Sequence, residues 1–187
     1  MTITHRVLVA AVASLTTASP VVAQPTEWRA PRWTQRGIEA QTVPLEALVL
    51  QDVQGLFGGQ SLWVSADRTA YVQLVGRRAG EPALWERRYK TTLTAEEWAE
   101  AERLIRAHHL LTVKMPNRPG VPDEAHPVIT IVTRAGATTR IGKWANDKHP
   151  DFDPVYSFLI GLCRPRGTLI REGPIDWKWT PPGFDKV

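Results

Sequence analysis

"LFGGQSLWVSADRTAYVQ", Leu56 to Gln73, opens on two glycines and continues with a period of two. A glycine loop that cradles phosphate needs a helix after it, so that the helix N-terminus meets the anion. The P-loop also needs a Lys next to Ser or Thr. Neither is present: Leu62, Val64 and Ala66 alternate onto one face, so a strand follows, and no Lys is near. Gly58-Gly59 is therefore read as supplying positive φ in a turn or bulge between two strands. This removes a nucleotide-type signature and starts the fold on antiparallel strands.

Upstream, "EALVLQDV" reads as a strand through Leu48 and Leu50. Downstream, Asp67-Arg68 is a tight turn and "TAYVQLV" a third strand; Gly80 and Pro82 break the ladder. "LWERRYKT" is a fourth strand with a polar, cationic face. The period then changes. Thr94 with Glu97 forms a capping box, and Trp98, Ala101, Leu104, Ile105 and His108 share one helical face. Glu96, Glu97, Glu100 and Glu102 favour the positive end of that helix, predicted over about residues 94–109. "MPNRPGVPDEAHP" is an irregular connection, and "VITIVTR" with "ATTRIGK" a hairpin turning at Ala135-Gly136. "NDKHPDFDP" is a loop, "PVYSFLIGLC" a short apolar helix, and Thr168–Arg171 a short strand in the tail. The order implies an α+β fold with an antiparallel sheet of about six strands: meander, helix, hairpin, helix. The helices are expected on one face, leaving the other wet or free to bind.

The 187 residues divide into four parts. Residues 1–23 read as a signal peptide: a basic start at His5-Arg6, an apolar stretch from Val7, and small residues at Val21-Val22-Ala23. Ser14, Thr16, Thr17 and Pro20 make that stretch too polar and short for a membrane span. Residues 24–47 are an arm bearing Trp and Pro, 48–164 the α+β domain, and 165–187 a tail bearing Trp and Pro. The expected destination is the periplasm or exterior, with no transmembrane segment once the signal is removed. Cys163 is the single cysteine, so no internal disulfide is expected, and its apolar setting reads as a buried small hydrophobe. Net charge is +4. Arg77, Arg78, Arg87, Arg88 and Lys90 cluster, but Glu81 and Glu86 interrupt them, so a solvated hairpin face is expected and no nucleic acid.

The apolar strand, the Phe57-Gly58-Gly59 turn, the hairpin, "LTAEEWAEAERLIRAHHLL", "VITIVTRAGATTRIGK" and the closing helix resemble a group of small bacterial domains of unknown function. The layout, over about residues 46–164, is similar to that of emfourin-like inhibitors of thermolysin-type metalloproteases. The resemblance implies inhibition of an extracellular protease. It carries no functional residue across, because its shared motifs are turn glycines and a capped helix.

Tryptophan is the feature that points to binding. Of eight, Trp28, Trp33, Trp177 and Trp179 lie in the two arms, where a disordered tail would be poor in aromatics. They either hold the arms onto the domain or offer a protein or glycan surface, to which Trp63, Trp85 and Trp144 add if they share the outer sheet face. The competing chemistry is a metal-dependent hydrolase. Asp123 with His126, and Asp147 with His149, lie in two loops flanking the second hairpin. A zinc site needs three or four such ligands to converge, yet His126 and His149 each precede Pro, which is turn chemistry. Ser61, Ser65 and Ser157 lack an elbow motif. The expectation is a non-catalytic exported domain, with no cofactor, binding a protein or envelope component.

Overall fold

Gly58 and Gly59 both adopt positive φ, +83° and +139°, and a Cβ on Gly59 would stand 1.9 Å from the Asp52 carbonyl oxygen. The glycines let the strand that begins at Gly58 close tightly back on the one that ends at Gln54. The structure is a computed structural model that describes residues 44–185 and Val187. The signal segment, nearly all of the first arm, and with it Trp28 and Trp33, lie outside the described residues.

The strands are β1 (Leu45–Gln54), β2 (Gly58–Ser65), β3 (Thr69–Arg77), β4 (Leu84–Thr92), β5 (Val128–Thr133), β6 (Thr138–Gly142) and β7 (Thr168–Pro174). The helices are α1 (Ala95–Ala107) and α2 (Phe152–Leu162). Every pairing is antiparallel, in one sheet of order β6-β5-β1-β2-β3-β4-β7. Among the described residues the sheet has seven strands where about six were expected. The tail segment from Thr168 is a full partner of β4, with a register shift between Arg88 and Tyr89.

Local chemistry sets the boundaries. Between β2 and β3 the chain turns through Ala66, Asp67 and Arg68, with Arg68 left-handed at φ +69°. Asp67 braces this turn by accepting hydrogen bonds from Ser65 Oγ, Thr69 N and Thr69 Oγ1. At α1 the capping box forms: Glu97 N donates to Thr94 Oγ1 and Thr94 N to Glu97 Oε2, at 3.1 and 2.9 Å. Two of the four orphan donors of that helix end are thereby satisfied.

Two apolar clusters follow from the period-2 alternation. The larger gathers Leu48, Leu50, Leu62, Val64, Val72, Ile129 and Ile131 with Ala101, Leu104 and Ile105 of α1 and Phe152, Val155 and Leu159 of α2. The smaller gathers the alternate residues Ala47, Val49, Trp63 and Tyr71 with Phe184 and Trp179 of the tail. This smaller cluster marks the outer face of the sheet.

Candidate functional site

Register builds the outer face in rows across the strands. One row runs Arg140, Thr130, Val49, Trp63, Tyr71, Lys90. The next runs Val128, Gln51, Ser61, Gln73, Arg88, Arg171. An aromatic row thus lies beside a polar one, and no single strand reveals it.

The tail crosses this face. Leaving β7, it is fixed by Ile175 N donating to the Leu84 carbonyl at 3.0 Å. Trp179 meets Trp63 edge-on, centroids 5.3 Å apart and planes at 80°, and Tyr71 lies at 6.4 Å. The Arg88 guanidinium stacks on the Trp179 ring, 4.1 Å from its centroid. Phe184 closes against Tyr71 at 6.5 Å.

Beneath the tail lies a buried charge cluster. Glu86 is fully buried and accepts hydrogen bonds from Gln73 Nε2 at 2.7 Å, Arg88 Nε at 2.9 Å and Arg171 Nε at 3.0 Å. Arg88 Nη2 pairs with Oε1, the oxygen that accepts from Arg171, and Asp176 N donates to it as well at 3.3 Å. A buried carboxylate is tolerated only with such partners. Here they include two residues of the last segment of chain, so the cluster locks the tail to the sheet. Of the cluster expected on a solvated hairpin face, Arg77, Arg78, Arg87 and Lys90 are exposed, and Arg88 alone departs from that expectation. Arg88 is buried in this cluster and Arg78 lies over Trp85, 4.6 Å from its centroid.

Between tail and sheet opens a cleft of about 370 Å³, floored by Gln51, Ser61 and Gln73 and walled by Trp63, Trp177 and Trp179. Arg140, His126 and Asp176 line its margin. A second cleft of about 190 Å³ shares Gln51, Trp63, Arg140, Trp177 and Trp179 and continues to Thr180 and Asp185. Gln51 and Arg140 are exposed and have no side-chain hydrogen bond or ion pair among the described residues. Trp177 is 60% exposed. The cleft therefore offers aromatic surface, amide donors and acceptors, a guanidinium and a carboxylate.

Of the seven tryptophans singled out, three are brought together: Trp63, Trp177 and Trp179. Trp85 alternates with Glu86 and so lies on the other side of β4, in a separate basic hollow with Arg77, Arg78 and Arg87. Trp144 packs on His126, centroids 4.6 Å apart, beside the cleft. Gln51, Ser61, Gln73, Arg140 and Asp176 were not anticipated. For Gln51, Ser61 and Gln73 the signal is a polar position within an apolar strand, which becomes a site only in register.

The two proline-bounded loops do meet, but around Arg118. Its guanidinium donates to Asp147 Oδ1 at 2.9 Å and to both Glu124 oxygens at 2.8 and 2.9 Å. Burial pushes the Glu124 carboxyl up, and the Asn146 backbone N–H and Arg118 more than offset it, leaving the group below its ordinary range. His149 Nδ1 accepts from the backbone of Asp151 and Phe152, Asp123 is an exposed left-handed turn residue, and His126 is on Trp144. Among the described residues no three His, Cys, Asp or Glu side chains converge as a metal would require. Cys163 is buried and its thiol is pushed up to about 12, by burial first and by the Asp52 carboxylate second. Among the described residues no helix is long and apolar enough to cross a membrane.

No family model, no curated protein and no solved structure matches the chain significantly.

Proposed function

We propose that this is an exported, non-catalytic binding domain, whose ligand is a protein or cell-envelope component seated in the outer-face cleft. In this reading α1 and α2 cover the opposite face, and the sheet is the platform. One observation carries it: the tail is locked over the sheet by Glu86, yet leaves Trp177 60% exposed beside Gln51 and Arg140, which have no side-chain partner among the described residues. A tail that served only to cover apolar surface would bury that indole, since burying a large apolar side chain stabilises by roughly 1.5–3 kcal/mol. Exposed Trp beside Arg is the composition of binding hot spots. The test is to immobilise the full chain and its Trp177→Ala and Gln51→Ala variants and expose each to envelope extract. A component retained by the parent and lost from both variants supports the reading. Identical retention by all three rejects it.

A second reading, inhibition of a thermolysin-type protease, is favoured by the β1–β2 turn, where Leu56 is 48% and Phe57 66% exposed. An apolar loop tip of this kind suits a protease cleft. Titrating thermolysin with the full chain and with Phe57→Ala decides it: inhibition lost in the variant supports the reading, and none with the parent removes it.

A further inference from the structure

We infer that the cleft takes an uncharged saccharide chain, laid across the strands; this rests on the reading of the cleft as a binding site. The first reason is shape. The cleft is lined from Arg140 on β6 through Val128, Gln51 and Ser61 to Gln73 on β3, so the ligand path crosses the strands. From Arg140 on β6 to Gln73 on β3 there are four inter-strand steps, about 19 Å at the usual spacing. That length suits an extended oligomer of rings better than a single small molecule.

The second reason is the chemistry of the lining. A sugar ring presents C–H groups on its faces and hydroxyls on its rim. It needs flat aromatic surface for the faces and planar groups that both donate and accept for the rim. Trp177 offers exposed indole, and the exposed Gln51 and Arg140 offer an amide and a guanidinium beside it, with the half-exposed Asp176 carboxylate at the margin. A peptide makes different demands. It adds to a free strand edge or drops an apolar anchor into a pocket. The floor here is the face of β1, β2 and β3, whose backbone groups are already paired on both sides.

The third reason is charge. Arg140 stands at the β6 end and Asp176 at the β4–β7 end, with Asp185 in the adjoining cleft. Both signs are present and neither dominates, which disfavours a polyanion or polycation and suits neutral hydroxyls.

Calorimetry and tryptophan fluorescence on the full chain test this, with cellohexaose and N-acetylchitohexaose as probes. Hexagalacturonate serves as the charged comparison and a tryptic digest of casein as the peptide comparison. At least one neutral hexamer should bind and perturb tryptophan emission. Trp177→Ala and Gln51→Ala, both at exposed positions, should each weaken it by about ten-fold, equivalent to about 1.4 kcal/mol, with unchanged thermal midpoints. Hexagalacturonate should bind no tighter. The inference is overturned if neither neutral hexamer binds in the millimolar range, if binding ignores both substitutions, or if the casein peptides or hexagalacturonate bind tighter. Envelope capture that depends on Trp177, with no hexamer bound, would overturn the saccharide assignment and leave the cleft as a binding site.

Discussion

Trp179, eight residues from the end of the chain, sits edge-on to Trp63 in the middle of β2, with ring centroids 5.3 Å apart. The contact joins the tail to the central strands and sets one wall of the cleft. Trp179 also carries the Arg88 guanidinium on its face at 4.1 Å. Truncating it removes packing from Trp63 and Tyr71 together. Trp179→Ala is expected to destabilise by about 2–4 kcal/mol, somewhat below the cost at a fully buried site. Urea unfolding gives the magnitude, and amide exchange should show residues 175–185 losing protection before the sheet does.

Glu86 is the second lever on the same tail. Replacing it with Gln leaves Arg88, only 4% exposed at its side chain, without its carboxylate. Breaking a buried pair by removing one partner costs about 3–5 kcal/mol. A Glu86→Gln midpoint close to that of the parent would show that water reaches Arg88 and that the cluster does not lock the tail.

Gly59→Ala should be among the worst single substitutions in β2. The new Cβ would meet the Asp52 carbonyl oxygen at 1.9 Å, in a backbone conformation at φ +139° that L-residues avoid. Strain of this type costs about 1–3 kcal/mol, before the clash is relieved. Gly136→Ala, at φ +83° with open space around it, isolates the conformational part. The difference between the two in chemical denaturation measures the steric part.

Cys163 should resist thiol reagents in the folded protein. Its thiol donates to the Leu159 carbonyl at 3.4 Å and is held up to about 12, so almost no thiolate exists near neutrality. Labelling at pH 8 is expected only at the rate of unfolding. Rapid labelling without urea would contradict the burial of α2's end.

Acid should loosen the loops around Arg118 and Lys143. For Asp153, burial raises the carboxyl, and the His149 backbone N–H with Lys143 outweighs it, so the folded value lies below the ordinary one. Glu124 is lowered in the same sense. A lowered folded value means that stabilisation is complete above the unfolded range near pH 4 and is lost as pH falls through the folded values. Thermal midpoints between pH 6 and pH 2 should therefore fall mainly below pH 4. Arg118→Gln should flatten that fall, because Glu124 then loses its cation.

The strands, the α1 capping box and the turn role of Gly58-Gly59 were legible because each is local: alternation, an i,i+3 pair, and a turn followed by a strand. The seventh strand was legible as a segment at Thr168–Arg171, but not as a sheet member. Its partner β4 is nearly 80 residues earlier in the chain, and no local pattern carries that pairing. The site was legible only in part. Trp63, Trp177 and Trp179 stood out by residue type. Gln51, Ser61 and Gln73 look like ordinary strand polars until register sets them side by side. Arg88 shows the opposite failure: in a run of basic residues it reads as solvated, and only Glu86 on the same strand face explains why it turns inward.

The order of strands has a consequence for how the molecule is assembled. β1 to β4 pair with their neighbours in the chain, whereas β5 must find β1 and β7 must find β4 across long intervals. Closing short loops is entropically easier than closing long ones. The meander is thus expected to organise early and the roof over the outer face late. Pulsed hydrogen labelling during refolding would show it, and protection of Ile175–Trp179 before β2 and β3 would refute that sequence of events. A chain cut after Pro174 would then keep its platform and have no roof.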